Sequence, residues 1–269
     1  MNRPWMWMLA LLLWGSVSVA EKNPNILFIS IDDLRPELGC YGNQKIQSPH
    51  IDALASEGTV FEEAYCQVPV CGASRASLMT GLYPTENRFV TYYSKAETDA
   101  KGIPDIPTWF KQQGYITISN GKIYHDRNDS ADSWDKIFRS KDYKIYHLPE
   151  NLALPEKRQP AFEGADVDDM AYAGGPVLQE TIADLRAAKE TDKPFFLAVG
   201  FTKPHLPFNA PKKYWDLYDR AAIQLAENPF VPEGAPLEAM HEWNELRNMY
   251  GGIPTQGPLS DELARTLIH

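Results

Sequence analysis

Two neighbouring carboxylates, Asp32 and Asp33, end an apolar run that spans residues 25–31. Successive side chains of a strand point to opposite faces, so these carboxylates can converge only where the strand breaks into a loop. Paired carboxylate oxygens at such a point suit a hard cation such as calcium or magnesium. Taken alone, the pair is more typical of a turn or a helix N-cap.

A cysteine and an arginine lie one helical turn apart in the segment 70–81. Cys71 comes just before a predicted helix, whose N-terminus would stabilise negative charge and activate a nearby thiol. Arg75 can offer its guanidinium fork to an oxyanion. The spacing predicts a cysteine nucleophile with an anion-binding cradle. The alternative is a buried cysteine beside a surface arginine.

Two further segments each combine a lysine with a histidine just past a predicted strand. They are Gly121-Lys122-Ile123-Tyr124-His125 and Lys203-Pro204-His205-Leu206-Pro207-Phe208. A lysine is a point charge for an anion, and a histidine can act as an acid or a base near neutral pH. The prolines would hold His205 in a rigid loop. A single histidine is usually structural, but two in this setting favour a functional role.

The elements that would position these side chains alternate between strands and helices. Strands are predicted at residues 25–31 (buried on both faces), 59–66, 115–119 and 194–201. Helices are predicted at 48–58, 74–80, 106–113, 177–190 and from Ser260 onward, and long surface loops at 122–176. This alternation predicts an α/β fold with a mostly parallel central sheet flanked by helices. Function collects beyond the carboxyl ends of such strands, and three of the four segments lie there.

Composition and charge limit the class of protein. The chain has 269 residues, of which 43% are hydrophobic and 23% charged, which is enough for one large globular domain. The formal net charge is -10 and the isoelectric point is about 5.1. An acidic chain is a poor candidate for nucleic-acid binding. An anionic substrate would need local cationic groups or a metal to overcome the overall field.

Residues 1–20 predict a cleaved signal peptide. Arg3 gives a positive start, residues 5–14 are almost entirely apolar, and Ser18-Val19-Ala20 fits a signal-peptidase site with cleavage before Glu21. The apolar run is too short for an ordinary membrane span, and an uncleaved anchor is the alternative. We therefore expect residues 21–269 to be exported, as a secreted or periplasmic protein, or a lysosomal one in a eukaryote. No stable membrane span is expected after cleavage.

Taken together, the four segments resemble the signature of the type I sulfatases. The similarity lies in the Asp pair, in Cys-x-Ala-Ser-Arg followed by Leu-Met-Thr-Gly at 71–81, and in the segments 121–125 and 203–208, in the family's order. It covers residues 24–269, although Ala73 stands where many members have proline. Residues 33–42 and 195–200 most resemble the members that act on 2-sulfated uronates.

The resemblance implies a covalent mechanism on an alkaline-phosphatase-like fold. A separate maturation enzyme would oxidise Cys71 to formylglycine, and the hydrated aldehyde would attack the sulfur of a sulfate ester. His125 would take a proton from the second hydroxyl, which expels sulfate and restores the aldehyde. His205 would assist the departing alcohol. A geminal diol is useful here because its second hydroxyl gives the covalent intermediate a way to collapse.

The resemblance also implies how the negative charge is handled. Asp32 and Asp33 would bind one calcium ion, which would also contact the modified Cys71. Arg75 would steady the hydrated aldehyde, and Lys122 would bind the sulfate. A divalent cation with these two basic residues would neutralise charge that develops on the sulfuryl oxygens.

The family pattern places further calcium ligands and another lysine on later strands, and the sequence given stops before them. We therefore expect residues 21–269 to be the N-terminal portion of a sulfatase catalytic domain, with the C-terminal part of the fold missing. The expected substrate is a sulfated sugar or glycosaminoglycan-like polysaccharide, selected by loops within 126–176. Two alternatives stay open. One is a related metal-dependent phosphohydrolase or phosphonate hydrolase, and the other is an inactive, truncated glycan-binding fragment.

Overall fold

The computed structural model describes residues 23–141, 143–236, 239–240 and 244–269. The predicted signal peptide at residues 1–20 lies outside the described residues. Within the described part of the chain, none of the helices has both the length and the apolar character needed to cross a membrane.

A parallel sheet forms the centre of the fold, as the alternating pattern predicts. The strands are β1 (Ile26–Ile31), β2 (Ile116–Gly121), β3 (Lys136–Phe138), β4 (Phe162–Ala165), β5 (Phe195–Phe201) and β6 (Phe208–Pro211). The central sheet has the order β1-β5-β2-β3, and all its pairings are parallel. Strands β4 and β6 form a separate parallel pair. The predicted fold class is confirmed.

Helices cover both faces of the central sheet. They are α1 (Pro49–Glu57), α2 (Cys71–Thr80), α3 (Ala96–Asp99), α4 (Ile106–Gln112), α5 (Pro149–Leu152), α6 (Gly174–Lys189), α7 (Lys212–Trp215), α8 (Glu245–Met249) and α9 (Asp261–Ile268). One core cluster joins α2 and α4 to one face of β5, and the other joins α6 to the opposite face. Because strand side chains alternate, Phe196 belongs to the first cluster and Leu197 to the second.

The edge strand β1 is less buried than its apolar sequence predicts. β5 lies between two neighbours and is buried along nearly its whole length. β1 lies at the edge, and Leu27 and Ile29 on one of its faces are 45% and 49% exposed. The expectation that β1 is buried on both faces is therefore wrong for the described residues. An apolar run in the sequence predicts a strand, but it does not predict which neighbouring elements cover the side chains of that strand.

Three other local predictions need correction. Residues 59–66 form turns and irregular backbone, where a strand was expected. Helix α2 begins at Cys71 itself, so the cysteine is the first helical residue and does not precede the helix. The segment 122–176, expected to be loops, contains β3, β4 and α5. These strands are short, and short elements give too little periodicity to separate them from loops.

Two glycines bring the carboxyl ends of β2 and β5 unusually close together. A Cβ at Gly200 would lie 1.9 Å from the carbonyl oxygen of Lys122. A Cβ at Gly121, which has a φ of 71°, would lie 2.1 Å from the carbonyl oxygen of Gly200. The Lys122 N–H donates to Gly200 O at 2.9 Å, and the Asp32 N–H donates to Phe201 O at 2.9 Å. Three strands thus end level, and the residues that follow them share one edge.

Candidate active site

Helix α2 carries Cys71 and Arg75 on one side, one turn apart. Val70 is extended, so the chain enters the helix abruptly at Cys71. A Cβ at Gly72 would lie 2.0 Å from Tyr92 O, so only glycine lets the first turn pack this closely. Gly81 ends the helix in the left-handed region at φ 69°. The local sequence therefore sets both ends of the helix that holds the cysteine.

Asp32 lies at the centre of a buried ion-pair cluster. Arg75 Nη2 donates to Asp32 Oδ1 at 2.5 Å, and Lys122 Nζ donates to Asp32 Oδ2 at 2.5 Å. The Asp32 side chain is only 3% exposed. Burial alone would raise the pKa of this carboxyl, but the charges of Arg75 and Lys122 outweigh burial and hold its pKa below the usual value. Asp32 is therefore ionised, with a cation against each oxygen.

Arg75 also holds the loop that follows β2. Its Nη1 donates to the carbonyl oxygens of Lys122 at 2.7 Å and Ile123 at 2.8 Å. Both terminal nitrogens of the guanidinium are thus engaged within the protein. Asp32 and the loop carbonyls hold these two nitrogens in this arrangement, and the role of Arg75 as a fork for an oxyanion stays a prediction.

Cys71 and His125 are in direct contact, with Sγ 3.0 Å from Nδ1. Burial raises the pKa of the Cys71 thiol, and the positive charge of Lys122 only partly opposes this. Burial and then Lys122 lower the pKa of His125. Thiol and imidazole are therefore both neutral at neutral pH. Burial thus opposes the predicted activation of the thiol by the helix N-terminus, and the role of Cys71 as a nucleophile stays a prediction.

The segment 202–208 forms the other side of the site. Lys203 Nζ donates to the carbonyl oxygens of His205, at 2.9 Å, and of Pro207. His205 Nδ1 lies 2.8 Å from Leu206 O, and the peptide bonds before Pro204 and Pro207 are cis. Burial lowers the pKa of Lys203 to about 8, although the negative charge of Asp32 opposes the shift. Lys203 is thus a partly buried cation held by carbonyl oxygens.

Asp33 differs sharply from Asp32. Its φ of 58° turns the chain out of the strand, and its side chain is 60% exposed. Asp33 Oδ2 lies 3.9 Å from His205 Nε2, which is also 3.9 Å from Glu245 Oε1. The positive-φ backbone at Asp33 is the break that lets two adjacent carboxylates serve one site from different sides.

The carboxylates of Asp32 and Asp33 could supply part of the oxygen ligands of a calcium ion. Their hard oxygen donors suit calcium, which takes about six to eight oxygen ligands. Both oxygens of Asp32 face cationic partners, and the described residues contain no group of three or more His, Cys, Asp or Glu that could hold a metal ion. The donor chemistry of Asp32 and Asp33 fits calcium, and a closed shell needs further oxygens.

The seven predicted site residues form three contact groups at one edge of the sheet. Cys71 touches His125, Asp32 binds both Arg75 and Lys122, and Asp33 approaches His205. The group of Cys71 and His125 also interacts electrostatically with that of Asp33 and His205, because the charge of His205 lowers the pKa of His125. The catalytic and metal-binding roles of these residues stay predictions.

The sequence analysis did not assign a role to three neighbours of the site. Lys203 stands in a segment that was singled out, so its own motif could have identified it. Glu245 on α8 approaches His205 from a distant part of the chain, and no local pattern marks it. Ser30, whose Oγ accepts from Arg75 Nη1 at 3.3 Å, lies in an apolar run in which a single serine carries no signal.

The fold resembles that of known hydrolases with an alkaline-phosphatase-like fold. The crystal structure of a phosphonate monoester hydrolase from Agrobacterium radiobacter matches with a TM-score of 0.58 at 20% identity. The match covers 77% of this chain and 46% of that one. At this level of identity the likeness shows the fold alone.

The family model described as Sulfatase matches residues 24–252, so the chain belongs to the sulfatase family. Iduronate 2-sulfatase from Mus musculus is 37% identical over 243 residues, and that from Homo sapiens is 36% identical over 234 residues. Each match covers 83% of this chain and 42% of the relative. The chain therefore spans less than half the length of these relatives. The predicted family resemblance is confirmed.

Proposed function

We propose that this chain is the N-terminal portion of the catalytic domain of a sulfuric ester hydrolase that removes sulfate from a sulfated sugar. The observation that carries the proposal is the contact between Cys71 and His125 beside the buried cluster of Asp32, Arg75 and Lys122. Membership of the sulfatase family and the similarity to iduronate 2-sulfatases support it. The similarity to iduronate 2-sulfatases favours a glycosaminoglycan-like polysaccharide with a 2-sulfated uronate as the substrate of this protein.

The nucleophile in this proposal is a formylglycine made from Cys71 by a separate maturation enzyme with an external oxidant. The unmodified thiol is a poor nucleophile, because burial raises its pKa. One hydroxyl of the hydrated aldehyde loses its proton to solvent and attacks sulfur, the bond from sulfur to the alcohol oxygen breaks, and His205 donates a proton to that oxygen. His125 then takes the proton of the second hydroxyl, and the carbon–oxygen bond to sulfate breaks as the aldehyde re-forms.

The lowered pKa of His125 suits the role of a base. A histidine can accept a proton only in its neutral form, and burial with Lys122 keeps the ring neutral at neutral pH. The 3.0 Å contact with Cys71 Sγ places Nδ1 within proton-transfer reach of an oxygen on the modified side chain. This geometry is what distinguishes His125 from a merely structural histidine.

The charges of the cluster explain why a metal belongs to the proposal. Asp32 and Asp33 together carry as much negative charge as Arg75 and Lys122 carry positive charge, so these four side chains alone provide no net attraction for a sulfate. Calcium held by the oxygens of Asp32 and Asp33 would supply positive charge for the sulfate oxygens. The remaining oxygen ligands would come from outside the described residues.

The proposal includes an exported protein that is secreted, periplasmic or, in a eukaryote, lysosomal. The signal-like features of residues 1–20 support it. Its partners are the sulfated carbohydrate and the maturation enzyme, with no nucleic acid and no stable membrane span after cleavage of the signal.

Mass spectrometry of the peptide that contains Cys71 tests the modification. The protein is expressed at its natural full length with an active maturation enzyme, and we expect the mass of formylglycine at position 71. A Cys71→Ala variant is the matched control for the assignment of the peptide. An unmodified thiol under these conditions would contradict the mechanism.

Turnover of paired esters tests the reaction. The full-length protein should hydrolyse a sulfate monoester of a sugar faster than the matching phosphate monoester, and calcium chelation should abolish this activity. Faster turnover of phosphate or phosphonate esters would favour the alternative hydrolase and overturn the sulfatase proposal.

A further inference from the structure

A cavity of about 590 Å³ begins at the edge of the candidate site. Asp33 and Lys203 lie in its wall, together with Leu206, whose carbonyl oxygen contacts His205 Nδ1. Its size falls within the range of roughly 300–1,000 Å³ that is typical of small-molecule pockets. The cavity therefore adjoins the histidine that, in the proposed function, faces the departing alcohol.

Most of the wall is apolar or aromatic. Its members include Leu38, Ile46, Phe208, Tyr214, Trp215 and Tyr218. The charged groups in the wall have partners within the protein, as Arg35 Nη2 lies 2.9 Å from Glu37 Oε1 and Lys203 Nζ donates to two carbonyl oxygens. The chemistry of the wall favours a ligand that presents an apolar face.

Two other cavities in the described part of the chain do not adjoin the site. One, of about 430 Å³, is lined from the segment 96–133, and the other, of about 500 Å³, from 64–83. Neither wall includes any of the seven predicted site residues. Of these three cavities, only the one that begins at Asp33 therefore has a predicted site residue in its wall.

We propose that this cavity binds the alcohol part of the sulfate ester as a sugar ring, whose apolar face packs against the exposed ring of Tyr214. A pyranose ring presents a face of C–H groups, which packs on aromatic side chains as other apolar surfaces do. The inference rests on the proposed function, because it takes the sulfate to lie beside Lys122 and His125. It also assigns substrate selection to a region other than the loops within 126–176 that the sequence analysis expected, because no residue of 126–176 lies in the cavity wall.

Ligand titrations followed by backbone amide NMR separate the sulfate site from the cavity. The ligands are methyl sulfate, a monosulfated disaccharide and the same disaccharide without its sulfate. Both sulfates should perturb amides in 71–75 and 122–125. The monosulfated disaccharide should also perturb 203–218 and bind at least about tenfold more tightly than methyl sulfate.

A pair of variants at Tyr214 tests the packing. Tyr214→Ala removes the ring and should abolish the tenfold advantage of the disaccharide. Tyr214→Phe keeps the ring, loses only the hydrogen bond from Tyr214 Oη to Asp169 Oδ1 at 2.9 Å, and should keep the advantage. Neither variant should change the affinity for methyl sulfate.

The outcomes distinguish the two proposals. Equal affinity for both sulfates, or an advantage that survives Tyr214→Ala, overturns the cavity assignment and leaves the sulfate site intact. If neither sulfate perturbs 71–75 and 122–125, the proposed function fails. In that case a Tyr214-dependent perturbation of 203–218 by the unsulfated disaccharide still supports the cavity as a sugar site, and its absence overturns the cavity as well.

Discussion

The two sides of the candidate site hold their buried cations by different means. On the side of α2, Arg75 and Lys122 share the carboxylate of Asp32, one cation at each oxygen. On the side of the 202–208 loop, Lys203 has carbonyl oxygens as its hydrogen-bond partners. The pKa of Asp32 lies below its usual value, whereas the pKa of Lys203 falls to about 8. A full opposite charge keeps a buried ion charged, and dipoles alone do so only in part.

This difference has a consequence for what each side can do. In the Asp32 cluster, the lowered pKa keeps the carboxylate of Asp32 charged over the physiological pH range. Lys203 is a cation whose charge is lost within the mildly alkaline range, so the positive field near His205 depends on pH. The following predictions test this contrast, in order of decreasing effect.

Asp32→Asn should break the first side of the site. The change keeps the shape of the side chain but leaves Arg75, which is 7% exposed, as a buried cation without its counter-ion. We expect the free energy of unfolding to fall by about 3–5 kcal/mol, measured by urea denaturation. The matched control is Asp33→Asn, at the 60% exposed neighbour, which should stay within about 0.5 kcal/mol of the parent. Equal effects at the two positions would remove the contrast.

Lys203→Met should remove a pH dependence of the free energy of unfolding that comes from the 202–208 loop. The ordinary pKa of lysine is 10.5 and that of Lys203 in the folded chain is about 8. Between these values the unfolded chain binds more protons, so parent stability should rise with pH there, by up to about 3 kcal/mol. Urea unfolding of parent and variant at neutral pH and near pH 10 measures the difference. A variant with the same pH dependence as the parent would contradict the lowered pKa.

Alkylation of the unmodified protein tests how burial affects the reactivity of Cys71 on the α2 side of the site. Burial raises the pKa of the Cys71 thiol, whereas Cys66 is exposed. Iodoacetamide at mildly alkaline pH should therefore label Cys71 at least about tenfold more slowly than Cys66. Peptide mass spectrometry over time gives both rates in one sample. Faster labelling of Cys71 would mean that Lys122 and the helix N-terminus outweigh burial.

The short-range patterns in the sequence were sufficient for the frame of the fold. The apolar runs located β1, β2 and β5, and Ser260, whose Oγ accepts from the Leu263 N–H at 3.2 Å, caps α9 where the pattern predicted a helix start. The exposure of Leu27 on β1 could not be predicted, because it depends on which strand lies beside it. Strand order is a property of the assembled sheet, and apolar runs do not encode it.

The site shows the same division between local and long-range information. Motif spacing identified Cys71, Lys122 and His125, because each stands at a strand end or helix start. It could not reveal that Arg75 is occupied by Asp32 and by loop carbonyls, since these partners lie about forty residues or more away. Residue types report which chemistry is available, and the packed structure decides which hydrogen bonds are already taken.

The close approach of β2 and β5 at Gly121 and Gly200 makes the backbone a spacer for the reactive groups. Because a Cβ at Gly200 would collide with the Lys122 carbonyl, even a methyl group there would push Lys122 away from the strand that leads to His205. The separation of the two strand ends, and with it the position of Lys122 relative to the segment of His205, therefore depends on the absence of side chains at Gly121 and Gly200. Gly121 and Gly200 are therefore the positions at which a substitution would widen the space between the ends of β2 and β5. A wider space there would admit a bulkier oxyanion.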